Sequence, residues 1–114
     1  LKVIIEKIKN NSVKNPFEIE VETEKEAILL ANYYFEINIL ASLIVMLDNF
    51  KPSDALRTIK TIWEQKKVSK IVFELSGGIN ESNIKDYDQV GADVISLGAL
   101  THSPKALDIS LDLK

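Results

Sequence analysis

Hydrophobic and polar residues alternate strictly over residues 17–22, Phe-Glu-Ile-Glu-Val-Glu, and this alternation predicts a β-strand. Thr23 and Glu26 follow with the spacing of a capping box, which predicts that a helix begins at this point. The apolar stripe of that helix is formed by Ala27, Leu30, Ala31 and Tyr34. This stretch of the chain is therefore predicted to be a strand that leads directly into a helix.

Three further strands are predicted, the first of them in a nearly all-apolar run rich in β-branched residues. They lie at residues 43–47, 70–75 and 93–97. The first of these runs is apolar at every position, which is typical of a strand in a parallel sheet that is covered on both faces.

Helix signals follow each of these strands. The helix predicted to start at Pro52-Ser53-Asp54 carries an apolar face and ends in the basic run Lys66-Lys67, which is favourable at the carboxyl end of a helix. Asn80 is predicted to cap a polar helix that runs to about Val90. A last short helix is predicted to begin at Ser103, with Pro104 at its first position.

The regular alternation of strands and helices predicts an α/β fold. Four βα units in succession require parallel strands joined by right-handed crossovers. Residues 1–10 also have helical spacing, and the chain opens without a methionine or a cap, so we interpret it as part of something longer. The predicted fold is the parallel-strand half of an incomplete TIM-like (α/β) barrel.

Side chains alternate across a strand, so the position of a residue along its strand assigns it to one face of the sheet. One face is predicted to be apolar and to pack against the helices. The other face, which lines the lumen in a barrel, carries Glu20, Glu22, Asp48, Glu74, Ser76 and Ser96. Buried carboxylates need a cation or a proton, which we expect from a missing segment, a metal ion or a cationic substrate. Alternatively, the first strand is an exposed edge with its glutamates in water.

Glycine residues follow two of the predicted strands. Ser76, Gly77 and Gly78 end the third strand and Gly98 ends the fourth, so two turns would lie side by side at the carboxyl ends of parallel strands. Such turns let backbone amides approach a phosphate, and His102, the sole histidine, follows four residues after Gly98. We therefore predict one phosphate site formed by these residues. Taken singly, each motif is also consistent with a plain turn or a solvated histidine.

Composition and charge narrow the possible functions. The chain has 114 residues, of which 46% are hydrophobic and 27% charged, as in ordinary globular domains. The formal net charge of -3 gives no basic surface for nucleic acid, and no apolar run approaches the ~20 residues of a membrane span. We therefore expect no nucleic-acid or membrane partner and a cytoplasmic location. Cysteine is absent, so a metal would have carboxylate and imidazole ligands, a set that suits magnesium better than zinc.

Four motifs in a fixed order are far more specific together than any single glycine pair. They are Ile19-Glu20-Val21-Glu22, Met46-Leu47-Asp48-Asn49-Phe50, Glu74-Leu75-Ser76-Gly77-Gly78-Ile79 and the segment from Ser96 to Ser103, followed by Ala106-Leu107-Asp108-Ile109-Ser110-Leu111. Over about residues 17–113 the chain closely resembles the carboxyl-terminal part of the quinolinate phosphoribosyltransferase family. The resemblance implies that residues 1–114 are the carboxyl-terminal part of the barrel domain, without the amino-terminal domain and the first barrel strands.

The resemblance also implies an activity and a set of site residues. Members of this family are glycosyltransferases of NAD biosynthesis. With magnesium, they join quinolinate to phosphoribosyl pyrophosphate, release pyrophosphate and carbon dioxide, and leave nicotinate mononucleotide. By resemblance, Glu22 and Asp48 are catalytic and lie near the ribose and its magnesium-bound pyrophosphate. The residues implied to hold the 5-phosphate are Ser76, Gly77, Gly78, Gly98 and His102.

In this family the basic residues that bind quinolinate come from an earlier segment and from a neighbouring subunit. The resemblance therefore implies a homodimer or a higher homo-oligomer of the full-length chain. Another phosphate-binding barrel, such as a sugar-phosphate isomerase or an aldolase, would instead use Glu22 or Asp48 as general acid or base. A non-catalytic half-barrel that only assembles with partners is the third possibility. Turnover of quinolinate with phosphoribosyl pyrophosphate separates the first function from both alternatives.

Overall fold

The computed structural model describes residues 16–37, 41–66, 71–97 and 107–110. In these ranges the strands are β1 (Phe17–Val21), β2 (Leu43–Asp48), β3 (Ile71–Ser76), β4 (Val94–Ile95) and β5 (Leu107–Ser110). The helices are α1 (Glu24–Ile37), α2 (Pro52–Lys66) and a 3₁₀ helix over Ile84–Tyr87. The strands form one sheet in the order β4-β3-β2-β1-β5, and each described pairing is parallel. The predicted α/β half-barrel fold is confirmed.

The hydrophobic core lies between one face of the sheet and the two α-helices. Alternate strand residues form its sheet side, namely Phe17, Ile19, Val21, Leu43, Val45, Leu47, Ile71, Phe73 and Leu75. Residues of the helices, such as Leu30 of α1 and Ala55 of α2, belong to the same buried cluster. Ile19 pairs with Val45 and Val45 pairs with Phe73, so the strands lie in register and keep these side chains on one face. The prediction of an apolar face that packs against the helices is confirmed.

Strand β1 lies inside the sheet and not at its edge. It pairs with β2 on one side and with β5 on the other. Glu18 is buried and Glu20 is half-buried, whereas Glu22, the first residue after the strand, is exposed. The alternative in which β1 is an exposed edge strand is therefore wrong.

The segment after Asn80 does not form the polar α-helix that the sequence predicts. It is a turn followed by the short 3₁₀ helix. Asn80 stabilises the turn and does not cap a helix: its Oδ1 accepts hydrogen bonds from the backbone N–H groups of Ser82 at 2.9 Å and Asn83 at 3.3 Å, and the N-cap residue of the 3₁₀ helix is Asn83. Such local side-chain hydrogen bonds give the backbone an alternative to helical bonding, so asparagine and serine at this point favour the turn.

The predicted last helix is also not formed where the structure can test it. Residues 107–110 form strand β5, which pairs with β1, so a helix that begins at Pro104 does not continue into this segment. The pairing gives the backbone of β1 partners along its outer edge, and a free strand edge favours such an addition. The helix starts predicted at residues 1–10 and at Ser103 lie outside the described residues.

The helices of the described part of the chain are amphipathic and short. None of them is long and apolar enough to cross a membrane. Helix α1 instead buries one stripe of residues against the sheet, as the apolar spacing predicts.

Tyr34 ties the end of α1 to the start of β2, and it gives a prediction about alkaline stability. Its hydroxyl donates to the carbonyl of Ala41 at 2.6 Å, and burial raises the pKa of the Tyr34 phenol above its ordinary value. Unfolded chains lose this proton above about pH 10, whereas the folded chain keeps it, so stability should fall as the pH rises beyond that value.

Tyr34→Phe should lower the free energy of unfolding by about 1–2 kcal/mol at neutral pH, because the Ala41 carbonyl loses its donor. The same substitution should reduce the loss of stability at alkaline pH. Urea unfolding of both variants at neutral pH and at about pH 10.5 measures the two effects. An equal alkaline loss in both variants would contradict the assignment to Tyr34.

Candidate active site

The predicted catalytic acids and the predicted phosphate turn lie at the carboxyl ends of the strands. Asp48 and Ser76 are the last residues of β2 and β3, and they pair in register. Glu22 lies one residue beyond the last pair of β1 and β2, Val21 with Leu47. Because parallel strands end at the same edge of a sheet, the structure brings Glu22, Asp48 and Ser76 to one rim.

The start of α1 fixes the backbone of Glu22. Its N–H donates to Oε1 of Glu26 at 3.1 Å, and the Thr23 hydroxyl donates to the same oxygen at 3.2 Å. In return, the N–H of Glu26 donates to Oγ1 of Thr23 at 3.1 Å. The predicted capping box is therefore confirmed, and it holds Glu22 at the end of β1 while its side chain stays exposed.

The turn after β3 packs directly against the turn after β2. Gly77 has a φ of +84°, and a Cβ on it would lie 2.7 Å from Oδ1 of Asp48 and 2.6 Å from Oδ1 of Asn49. Neither distance leaves room for a methyl group, and the positive φ alone disfavours other residues. The N–H of Asn49 also donates to the carbonyl of Ser76 at 2.8 Å. The Asp48 carboxylate and the Ser76-Gly77 turn thus form one packed unit.

Asn49 is a residue of this unit that the sequence analysis did not single out for a role. Its φ is 58°, in the left-handed region, which asparagine adopts more readily than most residues. This conformation reverses the chain between β2 and α2 and turns the side chain of Asn49 toward Gly77. The position of Asn49 directly after an apolar strand is the sequence feature that could have indicated this conformation.

Asn83 is a second residue that the sequence analysis missed, and it supports the turn at Gly78. Its Nδ2 donates to the carbonyl of Gly78 at 2.7 Å, and its Oδ1 accepts from the N–H of Asn80 at 2.8 Å. Further along, the Tyr87 hydroxyl donates to the carbonyl of Phe50 at 2.8 Å. The bonds of Asn83 stabilise the segment after β3 internally, and the bond of Tyr87 connects that segment to the loop after β2.

The turn of Ser76, Gly77 and Gly78 has the backbone of an anion site. Both glycines have positive φ values, 84° and 71°, and successive turn amides without side chains can converge on an anion. The helix expected to follow is the 3₁₀ helix of four residues, so a long helix dipole does not reinforce this turn. Gly98 and His102, the other two predicted phosphate ligands, lie outside the described residues.

An acid occupies the inner face on each of three successive strands, as the alternation of side chains predicts. Glu20 pairs with Met46, and Met46 pairs with Glu74, so these residues form one row across the sheet. Asp48 lies two residues further along β2 and is half-buried. Glu74 is buried, and its Oε1 accepts a hydrogen bond from the Ser96 hydroxyl at 2.9 Å, which places Ser96 on the same face.

The cation Arg57 lies on the helices and not on this acidic face. Its guanidinium donates to Glu24 at 2.8 Å and to Asp54 at 2.9 Å, and so links the amino ends of α1 and α2. The hydrogen bonds to Glu24 and Asp54 raise the pKa of Arg57. On the inner face itself, the residues of the described strands include no lysine or arginine.

The carboxylates at the rim would suit a metal ion that takes its other ligands from a substrate and from water. Within residues 16–37, 41–66, 71–97 and 107–110 there is no group of three or more histidine or acidic side chains that could hold a metal alone. Two carboxylates are nevertheless a sufficient protein contribution for magnesium, which usually takes its other ligands from phosphates and water. Glu22 directly follows the last residue of β1, and Asp48 is the last residue of β2.

Comparison with known proteins places the chain in a family. Residues 1–112 match the family described as quinolinate phosphoribosyl transferase, C-terminal domain. Over 72 residues the chain is 51% identical to the probable nicotinate-nucleotide pyrophosphorylase (carboxylating) of Methanocaldococcus jannaschii, covering 61% of this chain and 25% of that protein. The probable enzyme of the same name from Archaeoglobus fulgidus is 32% identical over 105 residues, which are 92% of this chain and 38% of that protein.

A mammalian relative matches as well. The nicotinate-nucleotide pyrophosphorylase (carboxylating) of Rattus norvegicus is 38% identical over 100 residues, which are 86% of this chain and 30% of that protein. The matches thus span between 25% and 38% of the length of these three relatives. Because the family match extends over residues 1–112 and the fold is the expected parallel α/β half-barrel, the chain belongs to the quinolinate phosphoribosyl transferase family, as a C-terminal domain.

Proposed function

We propose that the full-length protein transfers the phosphoribosyl group of phosphoribosyl pyrophosphate to quinolinate. The reaction releases pyrophosphate and carbon dioxide and forms nicotinate mononucleotide for NAD biosynthesis. The observation that carries this proposal is the packing of Asp48 against Gly77 at one rim of a chain that belongs to this family. An acid and a phosphate turn in contact are what a substrate with a ribose and a phosphate requires.

In this proposal the turn of Ser76, Gly77 and Gly78 binds the 5-phosphate. Its glycines leave the backbone amides accessible, and Ser76 adds a hydroxyl that can donate a hydrogen bond. Gly98 and His102 would complete the site, as the resemblance of their segment implies. Asn49 and Asn83 would keep the turn in shape, because each forms a hydrogen bond with its backbone.

Glu22 and Asp48 would act on the ribose. As the bond between the sugar and pyrophosphate breaks, positive charge develops on the ribose, and carboxylates held at the rim stabilise that charge. The same two acids would hold a magnesium ion together with oxygens of the pyrophosphate. When bound, that ion supplies neutralisation of the negative charge on the leaving group.

Quinolinate itself would be bound by other parts of the protein. It is a dianion, and the inner face of the described strands carries acids without a lysine or an arginine. The described strands therefore offer no cation for quinolinate on this face, and by resemblance to the family the cationic side chains would come from an earlier segment and from a neighbouring subunit. This requirement supports a homodimer or a higher homo-oligomer of the full-length protein, which we place in the cytoplasm.

The first test compares residues 1–114 with the full-length protein. The full-length protein should form nicotinate mononucleotide from quinolinate and phosphoribosyl pyrophosphate when magnesium is present. Residues 1–114 alone should form none, because in this family the basic residues that bind quinolinate come from an earlier segment and from a neighbouring subunit. Chromatographic detection of the product measures both results.

Two outcomes of this test would contradict the proposal in different ways. Product formed by residues 1–114 alone would show that no external cations are needed. A full-length protein that forms no nicotinate mononucleotide but converts sugar phosphates would favour the isomerase or aldolase alternative.

A further inference from the structure

A buried carboxylate that the proposed mechanism does not use lies next to the phosphate turn. Glu74 is 3% exposed, and its hydrogen-bond donor Ser96 is 7% exposed. The second carboxylate oxygen of Glu74, Oε2, is buried and has no hydrogen-bond partner among the described residues. Glu74 precedes Ser76 by two residues on β3, so both side chains lie on the inner face.

A carboxyl group is unfavourable at this buried position, because it loses its contact with water. Its partners in the same row, Met46 and Val94, are apolar. A buried carboxylate must replace the water it loses with hydrogen-bond donors, and the Ser96 hydroxyl is the donor that the described residues provide. This hydrogen bond ties the side chain of Ser96 to β3.

The bond is important because β3 and β4 form a short pairing. The two strands share only the pairs Glu74 with Val94 and Leu75 with Ile95 within the described residues. Beyond the strand, the N–H of Ser96 donates to the carbonyl of Leu75 at 2.8 Å. The bond from the Ser96 hydroxyl to Glu74 is thus a side-chain hydrogen bond that fixes the carboxyl end of β4, in addition to the packing of Ile95 and Leu97 against the core.

The opposite end of β4 is fixed separately. The N–H of Asp93 donates to the carbonyl of Phe73 at 2.9 Å, and Oδ2 of Asp93 accepts from the N–H of Phe73 at 2.9 Å. Removing the Ser96 hydroxyl should therefore release only the end of β4 that lies at the rim.

We propose that Glu74 is a positioning residue for phosphate binding. By accepting a hydrogen bond from the Ser96 hydroxyl, it holds the end of β4 beside Ser76, where the phosphate turn begins. The register of Glu74 with Val94 places Ser96 alongside Ser76, two residues further on both strands, while Asp48 flanks Ser76 on the other side. The inference rests on the proposed function, in which this turn holds the phosphate of the phosphoribosyl donor.

Binding of ribose 5-phosphate to the full-length protein, measured by calorimetry, tests the inference without turnover. Ser96→Ala should weaken this binding on the order of tenfold, because the end of β4 then keeps only the bond from the Ser96 N–H to the Leu75 carbonyl. Ser96→Thr keeps the hydroxyl and should restore most of the affinity. In kinetic assays, Ser96→Ala should raise the KM for phosphoribosyl pyrophosphate but leave the KM for quinolinate unchanged.

Thr58→Val is the matched control. Thr58 is fully buried, and its hydroxyl donates to the carbonyl of Asp54 at 2.7 Å inside α2, so the variant also loses a buried hydroxyl hydrogen bond. It should lower stability without changing the affinity for ribose 5-phosphate. Equal losses of affinity in Thr58→Val and Ser96→Ala would show a general structural effect and would overturn the inference.

The remaining outcomes also decide the question. Wild-type affinity in folded Ser96→Ala would overturn the inference, as would a wild-type protein that does not bind ribose 5-phosphate. If Ser96→Ala does not fold, Ser96→Cys, with its weaker donor, should show an intermediate loss of affinity, and wild-type affinity there would likewise overturn it. If the affinity for ribose 5-phosphate depends on Ser96 but the protein forms no nicotinate mononucleotide, the proposed function is refuted while the role of Glu74 stands.

Discussion

Gly77→Ala in the full-length protein is expected to lower turnover on the order of a hundredfold, the size of effect that a shift of about 1 Å in an active site can produce. The added methyl group would lie 2.7 Å from Oδ1 of Asp48 and 2.6 Å from Oδ1 of Asn49. Both side chains must then move, which displaces the carboxylate of Asp48, and the alanine strains the turn at a φ of +84°. Binding of ribose 5-phosphate should weaken together with turnover, because one substitution disturbs both parts of the site.

Gly91→Ala is the matched control for this prediction. Gly91 has a φ of +90°, close to that of Gly77, but a Cβ there would meet nothing nearer than Cγ2 of Ile59 at 3.8 Å. Both variants therefore carry the strain of a left-handed alanine, about 1–2 kcal/mol of unfolding free energy, whereas only Gly77→Ala disturbs the rim. Thermal unfolding and steady-state kinetics of the two variants separate these effects. A similar loss of turnover in Gly91→Ala would assign the result to stability alone.

The inner face could be predicted from the sequence because it depends on one simple period. Side chains change face at every residue of a strand, so the spacing of Glu20, Asp48 and Glu74 along their strands was sufficient to group them. The prediction needed only that the strands be parallel and in register. The observed pairs of Met46 with Glu20 and Glu74 satisfy that condition.

The segments after β3 and β4 could not be predicted in the same way. Asn80 and Ser103-Pro104 are both ordinary helix starts by their local sequence. After Asn80, the hydrogen bonds that its side-chain oxygen accepts from the N–H groups of Ser82 and Asn83 favour a turn. At residues 107–110, pairing with β1 decides the structure, and the availability of that strand edge is a tertiary property.

The contact between Asp48 and Gly77 also could not be predicted from the sequence. The motifs predicted that both residues end neighbouring strands, but not that their turns touch. That contact depends on two backbone conformations, the positive φ of Asn49 and the positive φ of Gly77. Positive φ is compatible with asparagine and glycine but is not required by them, so sequence alone leaves the geometry open.

The largest direct test of the chemistry is the removal of charge at Asp48 and at Glu22 in the full-length protein. Asp48→Asn and Glu22→Gln keep the shape of each side chain nearly constant and remove its negative charge. A carboxylate that acts mainly on the transition state should affect turnover far more than the Michaelis constant. We expect turnover to fall on the order of a hundredfold or more for each variant, as for other single electrostatic stabilisers.

Asp54→Asn is the control for these variants, because it removes a carboxylate close in sequence that belongs to a different environment. Asp54 accepts a hydrogen bond from Arg57 at 2.9 Å in the first turn of α2, so it serves the helix pair and not the inner face. Its variant should keep the turnover of the wild type. Kinetics across a magnesium titration supply the second readout, since loss of a ligand to a substrate-bound ion should also raise the magnesium concentration needed for half-maximal rate. Should Asp48→Asn or Glu22→Gln fold normally and keep near-native turnover with unchanged magnesium dependence, that carboxylate would be structural, and the charge acting on the ribose would have to come from another residue.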